Sequence, residues 1–268
     1  MQVSSALGIR IRQGEITVTE KYSPAFRDYG PAFERADELF LFYYRCENDN
    51  SISRITFTRG EFFSLARKAA GVLKANGCGK GHRILHCFGA NDYNDLAFRV
   101  ASALIGTVPI TVNWQADPLE RVIYKFENTG ATMVVVSPSF NPELLEGLKS
   151  NLRDVPFFNT EGLGTQKEIS ADDYLDDIDT EFTKIIIFTS GTTGNPKGVL
   201  LTYSNYNTNR ATFEQMLEIN GSDKFAMLIV NPLHHTNSTA ITDWALRRPG
   251  SHIHLIERYS TKYWAILK

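Results

Sequence analysis

Several features are absent from this sequence, and each absence excludes a class of protein. No apolar run approaches the length of a membrane-spanning helix, and the N-terminus, MQVSSALGIRIRQGE, lacks the apolar core of a signal peptide. A formal net charge of −2 gives no overall positive field, which argues against nucleic-acid binding. The 3 cysteines lack metal-ligand spacing, so we expect reduced thiols in a cytoplasmic protein.

Two common nucleotide-binding motifs are also missing. A P-loop requires Gly-x-x-x-x-Gly-Lys-Ser/Thr, but Lys197 follows Pro196 and precedes Gly198, so its register is wrong for that class of NTPase. No Gly-x-Gly-x-x-Gly opens a predicted helix, which argues against a dinucleotide-binding fold.

The segments that are present alternate between strand and helix patterns. The clearest helix start is the capping box at Thr58 and Glu61, whose side chains can satisfy the first free N–H groups of a helix. Predicted strands cover 52–58, 82–88, 108–112 and 133–136. Predicted helices cover 91–105, a segment capped by Asp117 and closed by Gly130, and a segment opened by Asn141 after the last of these strands. This alternation predicts the α/β class, with mainly parallel sheets flanked by helices.

The chain is predicted to divide into three parts. Residues 1–30 form an N-terminal arm at the surface, 31–180 a first α/β subdomain, and 181–268 the start of a second one. Six carboxylates between positions 172 and 181 mark the boundary. We expect a solvated acidic turn there; a site for a hard cation is the alternative, although the spacing is not that of an EF-hand.

A polar, glycine-rich segment between two apolar runs carries the strongest chemical signal. The runs 184–188 and 198–201 are predicted to be short buried strands. Hydroxyls, flexible backbone N–H groups and one ammonium group between them suit a polyphosphate, although a hairpin loop without a ligand is the alternative. The candidate phosphate-binding residues are Thr189, Ser190, Gly191, Thr192, Thr193, Gly194 and Lys197.

Histidines form the second candidate feature. His234 and His235 follow a predicted strand, in the kind of loop that carries functional residues in parallel α/β sheets. Zinc binding and a structural loop histidine are the alternatives. For the pairs at 82 and 86 and at 252 and 254, we expect exposed positions on or beside strands, without a metal.

The string from Thr189 to Gly198, TSGTTGNPKG, closely resembles the phosphate-binding signature of the adenylate-forming superfamily. That superfamily contains acyl- and aryl-CoA synthetases, adenylation domains of peptide synthetases, and luciferases. The sequence from Pro232 to His235 is similar to its next motif. The resemblance implies that the loop and Lys197 hold the pyrophosphate leaving group of ATP with Mg²⁺, and that His235 borders the carboxylate substrate, as a hydrogen-bond partner or a gate. The polar residues that follow, at 236–238, depart from the pattern of many relatives.

The resemblance also implies a reaction and its missing parts. A carboxylic acid attacks the α-phosphorus of ATP, and a thiol, from CoA or a carrier protein, then takes the acyl group. The Tyr-Gly-x-Thr-Glu motif, the ribose-binding aspartate, the hinge and the C-terminal lysine of relatives are absent from this sequence. We therefore expect an incomplete N-terminal domain of an adenylate-forming enzyme that cannot complete adenylation alone. The alternatives are a non-catalytic nucleotide-binding or interaction module, and a flavodoxin-like domain that holds a single phosphate.

Overall fold

The computed structural model describes residues 9–12, 15–18, 23–30, 34–47, 49, 51–175, 177–189, 196–220, 223–259 and 263–266. The strands in chain order are β1 Ile9–Arg12, β2 Glu15–Val18, β3 Leu39–Cys46, β4 Ile52–Thr58, β5 Arg83–Cys87, β6 Val108–Thr111, β7 Met133–Val136, β8 Phe157–Asn159, β9 Thr183–Thr189, β10 Lys197–Thr202, β11 Ala226–Ile229 and β12 His252–Ile256. The α-helices are α1 Arg59–Ala75, α2 Tyr93–Ile105, α3 Leu119–Thr129, α4 Pro142–Asn151, α5 Tyr203–Met216, α6 Thr236–Arg247 and α7 Tyr263–Ile266.

Two sheets organise these elements, and β1 pairs separately with β2. The first sheet has the strand order β10-β9-β6-β5-β7-β8, in which only β10 runs antiparallel to its neighbour. The second sheet has the order β11-β12-β3-β4, in which β11, β12 and β3 are parallel. The predicted α/β class with mainly parallel sheets is therefore confirmed. Both sheets contain strands from either side of residue 180, so the proposed subdomain boundary is not a boundary between sheets.

The helices form layers on both faces of the first sheet. Alternate residues of β7 point to opposite faces, so Met133 and Val135 pack with α1 and α2, whereas Val134 and Val136 pack with α3 and α4. The core on the α1–α2 side also contains Leu41 of β3 and other apolar residues of the second sheet. The helices α1 and α2 therefore lie between the two sheets. None of the helices described above is long and apolar enough to cross a membrane.

Local sequence accounts for several helix boundaries. The predicted capping box is present at α1, where Thr58 accepts a hydrogen bond from the backbone of Glu61 and Glu61 accepts one from the backbone of Thr58. Asn141 caps α4 as predicted. The predicted N-cap at Asp117 is wrong, because α3 begins after Pro118 and the carboxylate of Asp117 instead accepts a hydrogen bond from the backbone N–H of Asn113.

The prediction of two buried strands around the glycine-rich segment is half right. Residues 185–187 of β9 are buried, whereas Val199 and Leu200 of β10 are 41% and 52% exposed. The reason is position: β9 lies between β10 and β6, but β10 is the edge strand of the sheet. Apolar residues on an edge strand have fewer neighbours, and sequence alone does not reveal strand order.

The expectation of a surface arm over residues 1–30 is wrong for residues 23–30. Pro24–Tyr29 forms a π-helical turn in which Ala25 and Tyr29 are buried. The Tyr29 hydroxyl donates a hydrogen bond to Asp243 of α6. This turn therefore packs into the core of the molecule.

Candidate functional site

The candidate site lies where the carboxyl ends of strands from both sheets meet. In the first sheet, β5, β6 and β9 are parallel, so their carboxyl ends lie at one edge. Asn91, after β5, contacts the segment that follows β11 and the last residue of β12 in the second sheet. In open parallel sheets, ligands bind in the crevice outside these ends, where the strand order reverses. Here β6 and β7 flank β5 on opposite sides, which creates such a reversal.

The two described ends of the glycine-rich segment lie side by side at this edge. Thr189 is the last residue of β9 and pairs with Lys197, the first residue of β10. Both side chains are exposed, whereas Pro196 is buried. The remaining predicted phosphate-binding residues, Ser190, Gly191, Thr192, Thr193 and Gly194, lie outside the described residues.

A buried ion pair lies beneath the end of β9. The Nζ atom of Lys125 is 2.5 Å from Oδ2 of Asp117, and both side chains are almost fully buried. The same ammonium group lies 4.9 Å from the centroid of the Phe188 ring, the residue before Thr189. Burial lowers the pKa of Lys125, while Asp117 opposes this effect. The pair therefore anchors α3 against the strand that leads into the glycine-rich segment.

The segment of residues 230–235, which we call the histidine loop, connects β11 to α6. Its two histidines differ in environment, because His234 is buried and His235 is exposed at the N-cap of α6. The rings are 4.3 Å apart between centroids. The part of the chain that the structure describes contains no group of three or more metal-ligating side chains.

The imidazole of His234 is held in its neutral form. Burial, followed by the positive charges of neighbouring groups, lowers its pKa from 6.5 to about 3. Neither ring nitrogen has a hydrogen-bond partner among the described residues. The ring packs edge-on against Trp114, which follows β6, with centroids 6.0 Å apart. Thr111, whose carbonyl accepts a hydrogen bond of 3.4 Å from Lys125, lines a small cavity together with His234, which places this histidine near the ion pair beneath the end of β9.

His86 corrects one expectation. It is buried in β5, not exposed, and its Nδ1 lies 2.7 Å from Oδ1 of Asp95. Burial lowers the pKa of His86, against the opposing effect of Asp95. Asp95 also binds Arg99 through two hydrogen bonds of 3.0 and 2.7 Å. A small cavity separates His86 from Trp114 and His234.

The other histidine expectations have mixed outcomes. His82 and His252 are exposed as expected. His254 is half-buried and not exposed as expected, because it stacks on Phe42 with centroids 4.6 Å apart and its Nδ1 lies 3.0 Å from the Tyr44 hydroxyl.

Four residues that shape this edge are not among the predicted site residues: Asn91, Trp114, Lys125 and Arg258. The guanidinium of Arg258 lies 5.3 Å from the centroid of the Trp114 ring and donates a hydrogen bond to the carbonyl of Gly89. Asn91, Trp114 and Arg258 all follow the carboxyl ends of strands closely, so position in a parallel sheet is the signal that could have found them. Lys125 lies within a helix and carries no such signal.

Comparisons with known proteins agree with this arrangement. A family model described as AMP-binding enzyme matches residues 39–267. The long-chain-fatty-acid–CoA ligase FadD13 of Mycobacterium tuberculosis is 22% identical over 219 residues, which are 80% of this chain and 42% of that protein. The 2-succinylbenzoate–CoA ligase of Bacillus subtilis is 26% identical over 181 residues, 67% of this chain and 35% of that protein. The chain thus spans less than half the length of these relatives.

Two solved structures share the fold. The inhibitor-bound N-terminal domain of FACL13 from Mycobacterium tuberculosis has a TM-score of 0.76 at 18% identity, covering 92% of this chain and 60% of that one. O-succinylbenzoate coenzyme A synthetase (MenE) from Bacillus subtilis, in complex with ATP and a magnesium ion, has a TM-score of 0.71 at 19% identity, with 92% and 60% coverage. At these identities the likeness concerns the fold.

Proposed function

We propose that this chain, which belongs to the family of AMP-binding enzymes, is the N-terminal part of an ATP-dependent ligase that activates a carboxylic acid. The activated acid would be an acyl-adenylate. The thiol of CoA would then take the acyl group. The observation that carries the proposal is that Thr189, Lys197 and the histidine loop lie at the same edge of the first sheet. A cytoplasmic location is part of the same proposal.

The glycine-rich segment would bind the β- and γ-phosphates of ATP. Lys197 supplies an exposed positive charge at one end, and Thr189 a hydroxyl at the other. A fixed cation and fixed donors stabilise the charge that accumulates on departing pyrophosphate without having to reorganise. Magnesium ions bind largely through nucleotide phosphates, and a bound ion would neutralise part of the same charge. The segment would therefore hold the leaving group and would not supply a nucleophile.

The histidine loop would border the carboxylate substrate. His235 is exposed at the edge, so its ring can donate a hydrogen bond to a carboxylate or move aside. His234 cannot take this part, because its ring is buried. Arg258 is exposed, and its guanidinium, 5.3 Å from the centroid of the Trp114 ring, adds a positive charge beside the loop. Together these groups would reduce the repulsion between two anionic substrates.

Binding of Mg²⁺-ATP to this chain tests the phosphate-binding part. We expect Lys197→Ala to weaken binding at least about tenfold, because a hydrogen bond to a charged group contributes about 1.5–3 kcal/mol. Lys149→Ala is a matched control, since it removes the same charge from an exposed position on α4. Titration calorimetry would measure both. Equal affinities of Lys197→Ala and the unmodified chain would contradict the proposal.

Carboxylate-dependent ATP–pyrophosphate exchange tests the reaction itself. We expect no exchange by the 268-residue chain alone. We expect exchange by a longer protein that contains it, with its rate reduced by His235→Ala. Exchange by the longer protein that does not depend on any carboxylic acid would instead favour a nucleotide-binding module.

A further inference from the structure

We propose that Asn91 is a positioning residue that fixes the histidine loop, and with it His235, relative to the carboxyl end of β5 in the first sheet. The inference rests on the proposed function, because it assigns Asn91 to the placement of a group that would contact the substrate. Asn91 lies between β5 and α2 and is 1% exposed. It belongs in sequence to the first sheet, whereas its partners belong to the second.

The carboxamide of Asn91 binds the histidine loop directly. Its Oδ1 accepts a hydrogen bond of 2.8 Å from the backbone N–H of Leu233, the residue before His234. Its Nδ2 is 3.0 Å from the carbonyl oxygen of Ile256, 3.2 Å from that of Asn231 and 3.4 Å from that of Val230. Since a carboxamide has two N–H groups, the longest of these contacts shares a hydrogen with another.

The backbone of Asn91 is held by the same sheet. Its N–H donates to the carbonyl of Glu257, at 3.0 Å, and its carbonyl accepts a hydrogen bond of 3.1 Å from the hydroxyl of Tyr43. Every polar group of Asn91 is therefore engaged by β3, β12 or the segments that follow β11 and β12. The residue thus joins the carboxyl end of β5 to strands β3 and β12 of the second sheet and to the segment after β11.

A second contact fixes the loop from its other side. Arg99 of α2 donates a hydrogen bond of 2.9 Å to the carbonyl of Leu233, and Asp95 holds the guanidinium in place. Both backbone polar groups of Leu233 are thus hydrogen-bonded, the N–H to Asn91 just before α2 and the carbonyl to Arg99 within α2. The two contacts fix the position of the backbone immediately before His234 and His235. Neither contact involves a histidine ring.

Only an amide side chain suits this position. A carboxylate of the same shape would place an acceptor oxygen, in the position of Nδ2, against three carbonyl oxygens. Alanine would leave those carbonyls and the Leu233 N–H without their partner. Because the bonds converge on the loop, their loss should shift the loop more than the sheets. Asn91 therefore differs from a residue that only adds stability.

Hydrogen exchange and histidine reactivity test the inference. In the unmodified chain, the Leu233 amide should exchange as slowly as the amides of β12, although it lies in a loop. In Asn91→Ala, exchange over residues 231–235 should rise at least tenfold relative to β5 and β6. The rate at which diethylpyrocarbonate modifies His235 should change at least threefold, while Mg²⁺-ATP affinity should stay within about twofold.

Thr107→Val is the matched control. Thr107 is equally buried, and its hydroxyl donates a hydrogen bond to Ser102 of α2 at the amino end of β6, the end opposite the histidine loop. This change should therefore destabilise the core without altering the loop. Exchange at residues 231–235 that rises no more in Asn91→Ala than in Thr107→Val, with His235 reactivity unchanged, would overturn the inference. Rapid exchange of the Leu233 amide in the unmodified chain would overturn it even if the variant did not fold. Absence of Mg²⁺-ATP binding would refute the proposed function and leave these readouts intact.

Discussion

His234 makes stability depend on pH at the scale of a single residue. Its pKa is about 3 in the folded chain and 6.5 for an ordinary histidine. Below about pH 6.5 the unfolded chain therefore binds a proton that the folded chain does not bind, so protonation favours unfolding. The sign follows from burial, which disfavours the charged imidazole.

We expect the free energy of unfolding to fall by about 2 kcal/mol between pH 7 and pH 5 because of His234 alone. His234→Gln should remove this part of the pH dependence, whereas His82→Gln, at an exposed position, should not. Urea denaturation at several pH values measures the difference. A His234→Gln variant whose stability changes with pH as steeply as that of the unmodified chain would contradict the assignment.

At the scale of elements, close backbone approach decides what α1 tolerates. A Cβ atom at Gly71 would lie 2.2 Å from the carbonyl oxygen of Lys167, which crosses the helix. The position is helical, so propensity alone favours alanine over glycine by about 1 kcal/mol. The backbone contact opposes that preference, because a main-chain oxygen cannot move as a side-chain terminus can.

Gly71→Ala should therefore destabilise the chain by about 1–3 kcal/mol, the range for overpacking, despite its better helix propensity. Gly147→Ala in α4 is the matched comparison, since its Cβ would meet the flexible end of Leu119 at 2.5 Å. We expect the smaller loss there. Urea denaturation of both variants decides, and a Gly71→Ala chain more stable than the unmodified one would show that the segment at Lys167 moves freely.

The elements also show what sequence analysis could recover. The cap of α1 was predictable because Thr58 and Glu61 are three positions apart and need no distant partner. The edge position of β10 was not, because strand order depends on the whole sheet. Asn91 has the local appearance of any turn asparagine, and its partners Asn231 and Ile256 lie 140 and 165 residues further along the chain. Local patterns were thus sufficient to predict the fold class and to recognise the glycine-rich signature. They did not predict the contacts that bring the carboxyl ends of the strands together at the candidate site.

At the scale of the whole molecule, buried charges tie three distant segments together. Asp243 of α6 lies 2.9 Å from Lys184 of β9 and 2.7 Å from Arg247. Arg247 in turn lies 3.0 Å from Asp28, in the turn near the N-terminus. Burial alone would raise the pKa of Asp243, but Arg247 and Lys184 lower it overall, so the carboxylate stays ionised.

Asp243→Asn should lower the free energy of unfolding by about 3–5 kcal/mol, because it leaves two buried cations with too little negative charge. Asp154→Asn, at an exposed position, should change it by less than about 0.5 kcal/mol. Chemical denaturation provides the test. A loss below 1 kcal/mol for Asp243→Asn would show that water or movement of the turn at 24–29 compensates the two cations.

The pairing of Thr189 with Lys197 has a thermodynamic consequence for any ligand of the intervening residues. Partners in an antiparallel ladder have Cα atoms about 4.5–5.5 Å apart, so the two ends of the glycine-rich segment are already together in the folded chain. The entropy lost in closing that loop therefore belongs to folding, and a bound polyphosphate would not have to supply it again. Substitutions that weaken the ladder between β9 and β10 would lower nucleotide affinity without removing a single contact to the nucleotide.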